Sequence, residues 1–145
     1  MLQVLCEWIA EPDPDGLPPD RRHGKLGGME SVLGIGGYFM RAADPGALSV
    51  WYRECLGMDV DEKGLWRQGA GLTVFATFES ETDYFGSRAQ QTMLNFRVRD
   101  LDAMLAQLRA KGADVANETQ DMAGVGRFGW VTDPEDNRVE LWQPA

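Results

Sequence analysis

A chain of 145 residues with 43% hydrophobic and 26% charged residues has single-domain length and an ordinary globular composition, neither disordered nor membranous. Its formal net charge of -9 speaks against nucleic acid, whose phosphate backbone needs a Lys/Arg footprint. No apolar run reaches the roughly 20 residues that cross a bilayer.

Residues 1–28 carry no sustained period. An apolar start gives way to an acidic, proline-rich stretch in which Pro12, Pro14, Pro18 and Pro19 rule out helix and central strand. The segment lacks the basic start and small-residue cleavage site of a signal peptide. It is expected to be a leader lying outside the fold, vector-derived or mis-started, with a functional arm as the alternative. His23, the only histidine, lies within it. So does Cys6, and no bond between Cys6 and Cys55 is expected; two cysteines without a framework fit a reducing cytoplasm.

From Met29 a regular pattern begins, so residues 29–145 are read as one domain. It contains an internal repeat, with halves at about 32–79 and 91–144. In the first half, residues 32–41 read as a strand and Asp44-Pro45 opens a helix; in the second, residues 92–98 read as a strand and Asp100 opens a helix. The two aspartates stand 56 positions apart, and Arg41 and Arg97 each precede one by three. Asp is a good N-cap, since its carboxylate accepts from the free amides and opposes the helix dipole; Pro45 suits the first helical position. Ala47, Leu48, Trp51, Tyr52 and Cys55 make one apolar helical face, and Leu101, Met104, Leu105 and Leu108 make its counterpart. Gly57 and Gly112 are placed to end the helices. Further strands are predicted at 58–60, 65–68 and 72–78 in the first half. Those of the second half are predicted at 113–115, 128–131 and 138–143, the last two joined by a turn over 133–137. The fold class is therefore α+β: two βαβββ modules in a pseudo-twofold arrangement, forming a concave mixed-sheet cleft with helices outside.

Asp44-Pro45, Trp51-Tyr52 and Leu56-Gly57-Met58, followed by Asp133-Pro134-Glu135-Asp136-Asn137 and Glu140-Leu141, resemble the signatures of the vicinal-oxygen-chelate superfamily. This is the glyoxalase, bleomycin-resistance and extradiol-dioxygenase group. The resemblance covers essentially 32–144 and implies paired modules, frequently a homodimer, with the ligand on the concave face. Asp136 stands where that family prefers glycine; Asp tolerates the left-handed turn, so the turn is expected to survive. The family's metal enzymes take one ligand per half from the first strand, seven residues before the capping Asp, and one from the last. Those first-strand positions hold Gly37 and Met93 here, and neither supplies a hard oxygen or an imidazole. Glu140 matches the last-strand carboxylate, and Glu79 is the nearest carboxylate in the other half.

No cofactor and no divalent metal are therefore expected. Strand alternation proposes a lining of Gly37, Phe39 and Arg41 from one half and Met93, Asn95, Arg97, Trp130, Glu140 and Trp142 from the other. Ile35 and Phe128 share the same faces. That set suits a partly apolar small molecule. Arg41 and Arg97 have the plainer alternative of pairing with neighbouring acids, and the loop over 79–91, with Tyr84-Phe85-Gly86, reads as a connector that could instead be a lid. Gly124-Val125-Gly126-Arg127 lacks the lysine of a phosphate loop. Three functions stay open: a metal-independent binding protein, cytoplasmic and homodimeric, with a small-molecule ligand and no nucleic acid or membrane partner; a lyase, isomerase or dioxygenase using a metal or Glu140 as catalytic base; or a structural or regulatory module that self-associates and has no usable pocket.

Overall fold

A computed structural model describes residue 32 and residues 34–145; the expectations for residues 1–28, including His23 and Cys6, lie outside the described residues. The architecture is mixed α+β, and the described residues place two helices against an open mixed sheet.

Helix α1, Pro45–Leu56, starts as its sequence dictates. The Asp44 carboxylate accepts from the Ala47 amide at 2.9 Å, Pro45 takes the first turn, and Gly57 ends the helix in the left-handed conformation at φ 71°. Helix α2, Leu101–Ala110, repeats the device with Asp100 accepting from Ala103 at 2.9 Å. The Leu101 amide, another free donor of that first turn, is met by Gln143 Oε1 at 2.8 Å. The second helix stops at Lys111, one residue before the expected glycine, and Gly112 follows at φ 76°.

The sheet is built from β1 (Asn95–Arg97), β2 (Asp114–Val115), β3 (Gln120–Met122), β4 (Gly126–Thr132) and β5 (Arg138–Pro144). Its order is β1-β5-β4-β2, with β3 also paired to β4. Strand β1 runs parallel to β5 in the register Asn95 to Glu140 and Arg97 to Trp142; the remaining pairs are antiparallel. The turn between β4 and β5 closes around Asp133. Its buried carboxylate accepts from the Glu135 and Asn137 amides at 2.9 Å and from Tyr52 Oη on α1 at 2.9 Å. Asp136 takes φ 62° there, as the turn requires.

One sheet face carries Val131, Val139 and Leu141 and packs on Leu101, Leu105 and Leu108 of α2, with Leu48, Tyr52 and Cys55 of α1 beside them. The helix sits close because position 129 is glycine: a Cβ there would stand 3.2 Å from Leu105. The other face carries Phe128, Trp130 and Trp142 and gathers Tyr84, Met93 and Met122.

The first half departs from expectation. Residues 34–41, 65–68 and 72–78 are not strands, and among the described residues the half contributes α1 and a single bridge between Val60 and Trp66. Ile35, Phe39 and Phe75 are exposed, Phe39 by 95%. A strand is stable only when its amides find a partner strand. Gly34, Gly36 and Gly37 remove the side chains that would fix a register for the first of these segments.

Candidate functional site

Glu140 lies near the middle of β5 and is 6% exposed. A carboxylate that far from water must have its oxygens satisfied or it gives up its charge. Three neutral donors do so. Asn95, level with Glu140 on β1, donates Nδ2 to Oε1 at 2.5 Å; Trp130, level with it on β4, donates Nε1 to Oε2 at 3.1 Å. Tyr84 Oη donates to the same Oε2 from the segment between the halves. Burial raises the Tyr84 phenol well above its usual range, and its bond to the Glu140 carboxylate raises it further. The hydroxyl is therefore a fixed proton donor to Glu140.

Aromatic rings enclose this polar row. Tyr84 meets Trp130 edge-on with centroids 6.1 Å apart, and Phe78 stacks on Tyr84 at 5.4 Å. Phe128 and Trp142 lie nearly parallel at 6.2 Å, and Trp142 Nε1 donates to the Val125 carbonyl at 3.1 Å. That approach requires glycine at 126, where a Cβ would stand 2.1 Å from the Gln143 carbonyl oxygen.

Beside Trp130 is a cavity of about 400 Å³, bounded by Gly86 and Ser87 of the inter-half segment and by the ends of β2, β4 and β5. A second cavity of about 400 Å³ lies among Leu56, Met58, Trp66, Phe96 and Met104, on the helix side of β1.

Of the residues selected by alternation, Asn95, Trp130, Glu140 and Trp142 share one face, and Met93 packs into the same aromatic cluster. Arg97 belongs to that face by register, but its guanidinium turns outward and donates to the Gly69 and Ala70 carbonyls at 2.8 and 3.0 Å. It forms no pair with Asp100, whose carboxylate is committed to the helix start. Gly37, Phe39 and Arg41 are exposed, and Phe39 folds its ring beside Gly37. Glu79 is exposed too, and among the described residues no three His, Cys, Asp or Glu side chains converge. Two residues escaped the alternation argument. Tyr84 sits in a segment without period, where an aromatic pair in polar surroundings was the only signal. Arg138, two positions before Glu140, was legible as a same-face residue and lies over the Trp130 ring at 5.0 Å from its centroid.

The profile of the glyoxalase-like domain matches residues 38–142. Among solved structures, TnmS3, an antibiotic binding protein of a Streptomyces species, is 33% identical over 36% of this chain and 41% of its own, with a TM-score of 0.33. The chain thus spans less than half the length of that protein. The fosfomycin resistance protein FosX of Listeria monocytogenes aligns over 79% of this chain and 96% of its own at 15% identity, TM-score 0.55. A glyoxalase/bleomycin resistance protein/dioxygenase domain from Frankia aligns over 79% and 94% at 19% identity, TM-score 0.53; these last two establish likeness of fold. No curated protein matches. Since the glyoxalase-like profile accounts for well over half of the sequence, the chain belongs to the glyoxalase-like domain family.

Proposed function

We propose that this protein binds a partly apolar small molecule, without a metal, in the cavity beside Trp130 on the aromatic face of the sheet. One observation carries the reading: a cavity of about 400 Å³ beside Trp130, the ring whose indole N–H donates to the buried Glu140 carboxylate. Cavities of that size that combine an aromatic wall with a few fixed polar groups suit small organic ligands. The positions that the superfamily's metal enzymes use do not fit a divalent ion here. Gly37 has no side-chain ligand atom, the Met93 thioether packs with apolar neighbours, and Glu140 already accepts from Tyr84, Asn95 and Trp130.

Homodimeric assembly and cytoplasmic residence belong to the same proposal. So does the pseudo-twofold pair of βαβββ modules, which the 56-residue repeat and the matching Asp caps support. Among the described residues no helix is long and apolar enough to cross a membrane.

The test pairs two measurements on the full chain. Incubation with zinc, nickel, iron or manganese, followed by dialysis and elemental analysis, is expected to leave far less than one metal per chain. Titration with aromatic small molecules is expected to quench tryptophan emission and saturate at one per chain. Stoichiometric metal, or no saturable ligand, would sink the proposal.

A further inference from the structure

Arg138 is held from every side except one. Its backbone N–H donates to Gln90 Oε1 and its carbonyl accepts from Gln90 Nε2, both at 2.7 Å. Its aliphatic stem lies under Gly86, where a Cβ would stand 3.5 Å from Arg138 Cδ, and its guanidinium covers the Trp130 ring. Yet its Nε is buried and has no hydrogen-bond partner among the described residues. The ion pairs among those residues are made by Arg53, Arg88 and Arg127 instead. The guanidinium makes no hydrogen bond or ion pair among the described residues, so its other N–H groups are free to donate to an oxygen that enters the cavity Arg138 lines.

The cavity that Arg138 lines with Trp130 and Ser87 also carries Asp114, Glu118 and Asp136, all three exposed. One guanidinium therefore faces three carboxylates. A simple anion gains at Arg138 but is repelled by the other walls, while a simple cation leaves the guanidinium unmatched. A molecule bearing both charges satisfies both.

We propose that this cavity recognises a zwitterionic small molecule, with its carboxylate on Arg138 and its ammonium toward Asp114, Glu118 and Asp136. The assignment rests on the small-molecule reading above and names the ligand class. Arg138 supplies the donor contact to the carboxylate, Trp130 the apolar wall, and the acidic residues the discrimination against free acids.

Three probes that share one ring separate the charges: phenylalanine, phenethylamine and phenylacetate, compared by ligand-observed saturation-transfer NMR with the full chain. Phenylalanine is expected to bind at least severalfold more tightly than the other two, and Arg138→Gln to weaken it by about tenfold, the scale of a lost charged hydrogen bond. Asp136→Asn keeps a residue that tolerates the positive φ of that turn and is expected to move preference toward phenylacetate. Phenylalanine binding unchanged in folded Arg138→Gln, or equal binding of the three probes, overturns the charge assignment and leaves the small-molecule reading standing. Should Arg138→Gln fail to fold, the Asp136→Asn shift decides alone. Failure of all three probes at millimolar concentration overturns the zwitterion assignment, while the tryptophan titration judges the broader reading independently.

Discussion

Glu140 and Tyr84 form a hydrogen-bonded pair. The buried carboxylate holds the phenol protonated, and the phenol relieves the carboxylate of an unmatched oxygen. The consequence for pH follows from linkage. In the unfolded chain a tyrosine loses its proton near pH 10, whereas Tyr84 in the fold keeps it. Above about pH 10 the unfolded state therefore binds fewer protons than the folded one, so stability is fully present below that pH and declines above it. Tyr52, raised by burial and by its bond to Asp133, adds a slope of the same sign. Urea unfolding at pH 9 and pH 10.5 is expected to show a smaller drop for Tyr84→Phe than for the unaltered chain. The variant is also expected to be less stable by about 1–2 kcal/mol at pH 7, because Glu140 loses one donor. Equal drops in the two proteins would show that the Tyr84 phenol is not buried against Glu140. The sheet partners of Glu140 were legible because alternation along a strand is rigid geometry: 95, 130 and 140 fall on one face whatever their chemistry. Tyr84 was not, because a loop has no period to read. Nor was the outward turn of Arg97, which depends on where the Gly69 and Ala70 carbonyls happen to lie.

Among the elements, the helices were the most legible, since each carries its own start signal and needs no distant residue to set its bounds. Asp44 and Asp100 make the same bond to the amide three residues on. Asp100→Ala is expected to cost about 1 kcal/mol in equilibrium unfolding, and Asp100→Asn, which retains a side-chain acceptor, a few tenths. A loss under 0.3 kcal/mol for the alanine variant would show that Gln143, which bonds the Leu101 amide, suffices to cap the helix. The strands of the first half were misread because strand propensity is a statement about partners. Residues 72–78 have the right composition, but nothing in the sequence states which edge they would join. In the second half, by contrast, β4 and β5 are tied by a turn whose Asp133 organises it locally, and so their pairing follows from adjacency.

Across the molecule, order is unevenly distributed. The sheet, α2 and both buried clusters draw mainly on residues after 91, with α1 docked against them through Gln107 Nε2 on the Cys55 carbonyl at 2.7 Å. Native-state hydrogen exchange is expected to follow that division. Amides of β4 and β5 should be protected at least about 1,000-fold more than those at 34–41 and 72–78, which have no cross-strand partners in this structure. Comparable protection in the two sets would mean that the first-half segments pair in solution, and would favour the complete pseudo-twofold arrangement. The mixed α+β class was legible at this scale, because two similar capped helices at a fixed interval alternate with strand-like segments in the sequence.

Strand β5 has a further consequence, for the order in which the protein is made. It lies between β1 and β4, yet it follows both in the chain. Until residues 138–144 have left the ribosome, β2, β3 and β4 can associate as a local unit, while β1 has no neighbour and the Asn95 and Trp130 side chains have no carboxylate to meet. Closing the row of Asn95, Glu140 and Trp130 therefore waits on β5, which supplies both its carboxylate and the strand that joins β1 to β4.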